Sequence, residues 1–393
     1  MDKENRSMCC AKNGDASMKI GILVNTFNKG KGMDNVAFQH AIDLKNKGYE
    51  VTVYTFESDQ ELPNIEIIKL KWPKIGYINY LYRLFFPLDV CQDIRFLKES
   101  EHLDIVIAHF YPMTFLASLA KFAHHDINYI FCNHGITDNR GAPIIHKMYS
   151  IIVKILTNLT LMNVDCIISI SKFVEKSIPR NGIRTRVIYN RIDVSKFKYN
   201  KDLINPNIAA IAQMQNPKYL YVGIMNYYKG INLLIKSFKS VLKEQPSAKL
   251  LLVGASEYNF NIDSYIKYSS LSKRVIYLGR ISDSELGYLY DNIDVYTTAS
   301  TWEGFNLPLV EAQLHGKPVV AYNIGSHEEV VRDKETGILV EPFCTYKFAE
   351  AMIQVYKERE NMGKKAKEWS YQFSTQNPHV LTISEAIETL IKL

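Results

Sequence analysis

Two glutamates, Glu303 and Glu311, stand eight positions apart in the segment TWEGFNLPLVEAQLHGKPVV. Gly304 is typical of a turn and Pro308 of the first helical positions, so the segment predicts a loop followed by a helix. Glu303 then lies in the loop at the helix N-terminus, and Glu311 about one turn inside the helix. Carboxylates accept hydrogen bonds from hydroxyl groups, and a helix N-terminus attracts phosphate. The pair favours a ligand whose hydroxyl groups flank a diphosphate, as in a nucleotide sugar.

Each of these chemical residues also has a purely structural interpretation. The helix macrodipole alone favours acidic residues in first helical turns. Lys229, in YVGIMNYYKGINLLIKSF, follows the turn at Gly223 and can offset a diphosphate charge, or can be an ordinary solvated lysine. His134 in CNHG and His109 in IAHF follow predicted strands, where a single histidine is more often a packing residue. The surroundings of these residues must decide between the two interpretations.

The composition indicates a soluble globular chain with a basic N-terminal half. The chain has 393 residues, 47% of them hydrophobic and 22% charged, which predicts two domains. Residues 1–200 hold 26 Lys and Arg against 20 Asp and Glu, and the remainder holds 21 of each. This excess favours contact with an anionic membrane surface or a phosphorylated acceptor. We expect no nucleic-acid partner, since basic helices interleaved with aromatics and zinc-finger spacings are missing from the sequence.

The cysteines and the apolar stretches predict a cytoplasmic protein. The six cysteines form no CxxC pair, which is typical of reduced thiols. The segment 1–17 is polar and lacks an apolar centre, so we expect a disordered tail and no secretory signal. The apolar stretch 144–162 is interrupted by polar residues and predicts a packed helix, not a membrane span. The expected location is the cytoplasm, peripheral on the inner face of the membrane.

Strand-like runs alternate with helical patterns along the whole chain, which predicts an α/β fold with parallel sheets. Clear strands are 105–108, 166–169 and 249–253. The predicted divisions are an N-terminal Rossmann-like domain over 18–198, a linker over 199–217, a C-terminal Rossmann-like domain over 218–375, and a final helix over 376–393 expected to pack on the N-terminal domain. Two doubly wound domains facing a central cleft would bind ligands at the carboxyl ends of their strands.

A series of motifs resembles the retaining GT-B glycosyltransferases of family 4, from about Met18 to Phe373. In chain order they are the glycine-containing loop NTFNKGKGMDN, HG in CNHG, the N-x-x-D at 190–193, the G-x5-KG from Gly223, LGRISDSEL, and the E-x7-E. EGFNLPLVEA followed by HGKPVVA is the most specific part. The resemblance implies transfer of a hexose, with retention, from a UDP- or GDP-sugar held by the C-terminal domain. The implied acceptor, on the N-terminal domain, is a glycan or lipid-linked molecule in cell-surface polysaccharide or glycolipid synthesis.

The resemblance also implies roles for matching residues. Glu303 would contact the donor sugar, His134 would lie beside it, and Lys229 would stabilise the leaving diphosphate. Glu311 would bind the ribose hydroxyl groups. The other implied donor-binding residues are Gly30, Gly32, Gly223, Arg280, Ile281, Gly304, Phe305, Asn306 and Leu307. The acceptor hydroxyl would attack on the face that the diphosphate leaves. We expect no cofactor and no metal, since the nucleotide sugar is a substrate and the chain lacks the Asp-x-Asp motif of the other large glycosyltransferase fold.

Two departures from the family pattern keep an alternative function open. Ile224 stands where the family usually has an arginine, and Arg191 stands where it commonly has glycine. Loss of a second cation at the diphosphate would weaken transition-state stabilisation. The alternative is a catalytically weakened GT-B partner or regulatory subunit that binds the nucleotide sugar. A nucleotide-sugar epimerase is a third class, which the EGFNLPLVEA block disfavours.

The segment KWPKIGYINYLYRLFF, residues 71–86, mixes aromatic and basic side chains. In one interpretation its aromatic residues enter a lipid headgroup layer and its cations bind phosphates. The aromatic residues in question are Trp72, Tyr77, Tyr80 and Phe85, and the cations are Lys71, Lys74 and Arg83. In the other interpretation, the aromatics pack on the core of the N-terminal domain.

Overall fold

The computed structural model describes residues 17–29, 32–73, 76–135, 144–178, 182–257 and 260–391. The predicted disordered tail therefore falls almost wholly outside the described residues, as do Gly30 and Lys74. The contacts of the chain form two compact units. The first contains Met1–Cys132, Ile152–Ile167 and Thr382–Leu393, and the second contains Asn133–Ile151 and Ile168–Leu381. Residues 168–198 cluster with the second unit, whereas the alternation of patterns predicts them in the N-terminal domain.

The N-terminal half of the chain forms a seven-stranded sheet in the order β5-β3-β1-β6-β7-β8-β9, and β2 pairs separately with β4. Every pair whose register is described is parallel. All four residues of the central strand β6 are buried. A parallel strand covered on both faces needs apolar side chains at every position, and the sequence of β6 is apolar throughout. The strands are β1 Lys19–Leu23, β2 Thr26–Phe27, β3 Glu50–Thr55, β4 Glu57–Ser58, β5 Glu66–Lys69, β6 Ile105–Ala108, β7 Asn128–Asn133, β8 Cys166–Ser169 and β9 Arg184–Val187.

The helices of this half connect its parallel strands. They are α1 Gly32–Asn46, α2 Gly76–Phe85, α3 Val90–Ser100, α4 Met113–Ala123, α5 Ile144–Thr160 and α6 Lys172–Glu175. A 3₁₀ segment, Phe86–Leu88, joins α2 to α3. The side chain of Asp89 caps α3 by accepting a hydrogen bond from the backbone N–H of Gln92. No helix in the described ranges combines the length and the hydropathy needed to cross a bilayer.

The second unit contains a six-stranded sheet in the order β12-β11-β10-β13-β14-β15, and all neighbouring pairs are parallel. Its strands are β10 Lys218–Val222, β11 Lys249–Val253, β12 Val275–Gly279, β13 Val295–Thr298, β14 Val319–Tyr322 and β15 Gly337–Val340. This is the doubly wound order, in which the direction of winding reverses between the first and fourth strands. The reversal lies between β10 and β13, where ligands bind in open α/β sheets.

Helices cover both faces of this second sheet. They are α7 Pro206–Ala212, α8 Ile231–Glu244, α9 Ile262–Tyr268, α10 Asp283–Asn292, α11 Leu307–Leu314, α12 His327–Val330, α13 Thr345–Lys357 and α14 Arg359–Ser370. Further 3₁₀ segments are Val194–Phe197, Lys201–Leu203 and Tyr371–Phe373. One buried cluster joins α8 and α13 to the sheet, and another joins α10 and α11 to it. The segment predicted as a linker thus contains α7 and a 3₁₀ turn.

The last helix, α15 Ile383–Ile391, belongs to the first unit. It packs against α1. The hydroxyl of Tyr49 donates to Glu388 Oε1 at 3.1 Å, and Lys47 Nζ lies 3.2 Å from the same oxygen. The chain therefore returns to its first unit after completing the second.

Candidate functional site

Close backbone approaches shape the loops at the carboxyl ends of β10 and β13. Gly230 has a φ of 68°, and a Cβ there would lie 1.8 Å from the carbonyl oxygen of Ala299. Gly325 has a φ of 57°, and a Cβ there would lie 2.1 Å from the carbonyl oxygen of Glu303. Only glycine accommodates both the left-handed backbone and the contact. These glycines bring the loop that carries Lys229, the loop that carries Glu303 and the turn after β14 together.

Lys229 and Glu303 form a buried ion pair. Lys229 Nζ lies 2.8 Å from Glu303 Oε1, and the two side chains are 22% and 9% exposed. The backbone N–H of Lys229 donates to Asn226 Oδ1, which fixes the turn before α8. Burial by itself lowers the pKa of Lys229, but the charge of Glu303 outweighs it and holds that pKa above its ordinary value. Two of the three predicted catalytic residues are thus in contact, and the lysine is charged.

Glu311 lies on the inner face of α11 and is 5% exposed. Its Oε1 accepts a hydrogen bond from Lys196 Nζ at 2.9 Å, and its Oε2 accepts one from the hydroxyl of Tyr290 at 3.0 Å. Burial and then the charge of Glu311 raise the pKa of Tyr290 well above its ordinary value, so the hydroxyl stays a donor. The carboxylate is therefore held in one orientation from two sides.

The N-terminus of α11 begins at Asn306, whose φ is 66°. The Asn306 side chain does not cap the helix, because its Nδ2 donates to Nε2 of His327 at 2.9 Å. His327 in turn donates from Nδ1 to the carbonyl oxygen of Tyr322 at 2.7 Å, an arrangement of neutral imidazole. Burial lowers the pKa of His327. No side chain caps the N-terminus of α11; Pro308 has no N–H and the N–H of Leu309 donates to the carbonyl oxygen of Asn306 at 3.2 Å, so the backbone N–H of Leu307 is the group of this first turn suited to phosphate.

His134 lies beside the Glu303 loop. A Cβ on Gly304 would be 2.7 Å from the carbonyl oxygen of His134, and Ser171 Oγ donates to the carbonyl of Gly304 at 2.8 Å. Burial lowers the pKa of His134 to about 4, so its imidazole is neutral at physiological pH. A neutral imidazole can exchange hydrogen bonds with sugar hydroxyl groups but does not supply a positive charge.

The remaining predicted residues are more dispersed. Phe305 is buried between Tyr189 and Phe373, so its side chain packs in the core and only its backbone is suited to a ligand. Gly223 ends β10 with a φ of 153°. Arg280 is exposed beyond β12, and Ile281 is partly buried against the sheet.

The predicted residues of the N-terminal loop belong to the first unit. Gly32 begins α1 there, while Gly30 lies outside the described residues. His109 is fully buried with its ring centroid 5.6 Å from that of His40, as its packing interpretation predicts. The ligating atoms of these two histidines and of Cys132 lie within 4.8 Å of one another.

Three residues of the second-unit site were not predicted from the sequence: Lys196, Tyr290 and His327. Lys196 carries a usable signal, since it follows the N-x-x-D motif by three positions. Tyr290 carries none, because its place on α10 fits an ordinary core pattern. Their roles became visible only through the groups they contact.

Comparison with known proteins supports one interpretation of this arrangement. The family model Glycosyl transferases group 1 matches residues 208–370, and the model Glycosyltransferase Family 4 matches residues 30–196. An uncharacterized glycosyltransferase of Haemophilus influenzae is 24% identical over 82% of this chain and 86% of its own.

Two solved structures share the fold. HepE from Anabaena, in complex with UDP and glucose, has a TM-score of 0.75 and 21% identity, covering 96% of this chain and all of its own. WaaG, a glycosyltransferase involved in lipopolysaccharide biosynthesis, has a TM-score of 0.71 and 14% identity, covering 94% and 99%. The chain is therefore a glycosyltransferase of the group 1 and family 4 type with the GT-B fold, as its motifs predict.

Proposed function

We propose that this glycosyltransferase moves a hexose, with retention of configuration, from a UDP- or GDP-sugar to a glycan or lipid-linked acceptor in cell-surface polysaccharide or glycolipid synthesis. The observation that carries the proposal is the ion pair of Lys229 with Glu303 near the reversal of winding of the second sheet. Glu311 lies in the same unit with its carboxylate oriented. The UDP and glucose bound by HepE support a nucleotide-sugar donor, and the role of WaaG supports this acceptor class.

Lys229 is placed to serve two groups. An ammonium group has three N–H donors, so Lys229 can keep Glu303 and also donate to an oxygen of the diphosphate. As the bond between the anomeric carbon and the diphosphate oxygen breaks, negative charge grows on that oxygen, and a fixed cation stabilises it. Glu303 holds the lysine charged and offers its other lone pairs to sugar hydroxyl groups. Binding and leaving-group stabilisation are thus coupled through one ion pair.

The chemical step that we propose balances without a protein nucleophile. The acceptor oxygen forms a bond to the anomeric carbon on the face from which the diphosphate departs, and its proton passes to an oxygen of that diphosphate. His134, neutral and buried beside Gly304, orients the donor sugar through hydrogen bonds. The expected products are the glycosylated acceptor and the nucleoside diphosphate.

A second candidate function is favoured by one specific observation. Ile224 occupies the position where the resemblance predicts a second phosphate-binding cation, and it is 42% exposed. A protein with a weakened diphosphate site that still holds the nucleotide through Glu311 would act as a partner or regulatory subunit. Such a protein would still bind nucleotide-sugar donors but would transfer the sugar slowly or not at all.

Two measurements on the full chain separate these candidates. Thermal unfolding with UDP- and GDP-sugars reports binding, because a ligand that prefers the native state raises its stability by mass action. Release of nucleoside diphosphate with mixed glycan and lipid-linked acceptors reports turnover. The first candidate requires both signals, and saturable binding with no turnover on any acceptor supports the second. No stabilisation by any nucleotide sugar contradicts both.

We also propose that the surface around residues 81–94 touches an anionic membrane. From residue 81 onward, where side-chain exposure is described, large apolar side chains are exposed along the end of α2, the following 3₁₀ segment and α3: Leu81, Phe85, Leu88, Val90 and Ile94. Trp72, by contrast, packs 4.2 Å from the ring of Phe56 and edge-on to Tyr82, and Arg83 lies over it. Of the two interpretations of Trp72, these contacts favour packing on the core, and the exposed residues further along the chain form the proposed apolar surface.

A further inference from the structure

The segment that follows the N-x-x-D motif is built against α10. Asp193 Oδ1 accepts a hydrogen bond from the backbone N–H of Ser195, which starts the 3₁₀ turn Val194–Phe197. A Cβ on Gly287 would lie 2.1 Å from the carbonyl oxygen of Phe197, so α10 and this turn touch through their backbones. The ring of Phe197 also packs edge-on against Tyr290 at 5.6 Å. Lys196 and Tyr290 therefore approach Glu311 from two rigidly joined elements.

The two donors use only part of the capacity of the Glu311 carboxylate. An ionised carboxylate has about four lone-pair positions on its two oxygens. Lys196 Nζ takes one position on Oε1, and the Tyr290 hydroxyl takes one on Oε2. Within the described part of the chain, these two donors leave one position on each oxygen for a ligand. Two adjacent hydroxyl groups of a ribose ring could donate to these two positions at once.

Orientation is the property that Glu311 would lack by itself. The last torsion of a glutamate side chain has a broad, roughly two-fold preference, so the plane of the carboxylate is not set by its rotamer. A donor on each oxygen sets that plane. Lys196 also offsets a buried negative charge that would otherwise oppose a diphosphate-bearing ligand. Its ammonium group is further held over the ring of Phe197, 4.5 Å from the centroid.

We infer that Lys196 and Tyr290 are positioning residues that orient Glu311 to accept both ribose hydroxyl groups, which selects ribonucleotide donors over their 2′- and 3′-deoxy analogues. This inference rests on the proposed function, in which Glu311 binds the ribose of the donor. In this scheme the 3₁₀ turn after the N-x-x-D motif takes part in substrate selection, because it carries Lys196. Neither residue contacts the reacting atoms in this scheme.

The test measures, in several variants of the full chain, the ratio of the dissociation constant of a deoxynucleotide to that of the matching ribonucleotide. Calorimetric dissociation constants for UDP, 2′-deoxy-UDP and 3′-deoxy-UDP, with the matching GDP series, give the cost of removing each hydroxyl group. Hydrogen bonds to a charged group predict a wild-type preference of about tenfold or more for the ribonucleotide. In Lys196→Met and Tyr290→Phe this preference falls toward unity. Lys198→Met, one residue beyond the 3₁₀ turn, and Tyr288→Phe, on α10, retain the wild-type preference.

The ratio separates positioning from simple structural support. A variant that merely loosens the fold weakens the ribose and deoxyribose ligands alike, so its ratio stays at the wild-type value. Lys196→Arg keeps the positive charge and should restore much of the preference, while Tyr290→Phe removes one oxygen with little change of volume. These two variants decide the matter if Lys196→Met does not fold.

Three results overturn the inference. If wild type prefers the ribonucleotide and both Lys196→Met and Tyr290→Phe keep that preference, the two residues do not position Glu311. If wild type binds UDP or GDP but ignores both hydroxyl groups, Glu311 does not read the ribose, although nucleotide binding stands. If wild type binds neither nucleotide, the proposed function fails and the inference fails with it.

Discussion

At the scale of the residue, each glutamate of the E-x7-E motif is paired with a lysine. Lys229 holds Glu303 and Lys196 holds Glu311, and all four side chains belong to the second unit. Burying a charge is costly unless it is paired, so each lysine lowers the free-energy cost of burying its carboxylate. Each carboxylate is thereby held in place, with oxygens that can accept hydrogen bonds from sugar hydroxyl groups.

The pair of Lys229 with Glu303 predicts a non-additive mutant series. Lys229→Met leaves an unpaired carboxylate in a buried site, and we expect a loss of about 3 kcal/mol in the free energy of unfolding. Adding Glu303→Gln removes that charge, so the double variant should be clearly more stable than Lys229→Met alone. Urea unfolding measures both, with the exposed Lys236→Met on α8 as control. Equal losses in Lys229→Met and the double variant would contradict the expectation that the unpaired charge of Glu303 is what destabilises the single variant.

The lowered pKa of His134 predicts that the free energy of unfolding decreases in acid. In the unfolded chain its imidazole binds a proton near pH 6.5, but burial delays protonation in the native protein until about pH 4. The native state therefore loses stability as the pH falls between these values, by up to about 3 kcal/mol, and this contribution is constant above pH 6.5. His134→Gln cannot titrate and should lack this part of the slope.

The measurement is the difference in unfolding free energy between wild type and His134→Gln from pH 7 to pH 4. His327, whose pKa burial also lowers, titrates in both proteins and cancels in the comparison. Parallel stability curves would contradict a buried neutral His134.

At the scale of the element, the site depends on tight turns at strand ends more than on the strands. The strands 105–108, 166–169 and 249–253 are confirmed with the predicted bounds. Strands β5 and β15 were not predicted, and both lie at the edges of their sheets. An edge strand is less completely covered, so its sequence lacks the long apolar run of a central parallel strand.

The turn before α8 gives a test at this scale. Gly230→Ala adds a Cβ where the carbonyl of Ala299 already lies, and it also strains a left-handed backbone. Gly279 has nearly the same φ, 65°, but open space around its missing Cβ. We expect Gly279→Ala to cost only the conformational strain, about 1 kcal/mol, and Gly230→Ala to cost considerably more.

Thermal or urea unfolding of the two variants measures this difference. Because Lys229 precedes Gly230, the alanine at 230 should also weaken binding of the nucleotide sugar. Equal destabilisation by the two alanines would mean that the contact with Ala299 relaxes without cost.

At the scale of the whole molecule, charge is divided unequally along the chain. The basic excess lies within residues 1–200, whereas the remainder of the chain is neutral. The exposed apolar residues of α2, α3 and the intervening 3₁₀ segment belong to the first unit. Apolar insertion combined with cationic attraction is the usual physical basis of reversible membrane attachment.

Vesicle sedimentation tests this attachment. The protein should bind phosphatidylglycerol vesicles at low salt and dissociate as the ionic strength rises, because exposed charges are screened. Leu88→Asp should weaken binding, since Leu88 is 73% exposed within the proposed surface. Phe122→Asp, on α4 and 75% exposed, should leave it unchanged. Failure of the wild type to bind at low salt would contradict membrane attachment.

The sequence by itself determined the α/β class and the family, and it singled out Lys229, Glu303 and Glu311, which the structure places in the second unit. Motifs of this kind report local backbone requirements, such as a glycine turn, a helix start or a proline in the first turn, and these can be recognised from a short stretch of chain. Pro308 and the helix it begins are an example that the structure confirms.

Only the tertiary structure decided which charged groups meet. Lys229 and Glu303 are 74 positions apart, and Lys196 and Glu311 are 115 positions apart. The order of strands in the second sheet places β10 beside β13 and so brings the loops that follow them together. Contacts of that range depend on how the strands pair and how the helices pack, and no local spacing encodes them.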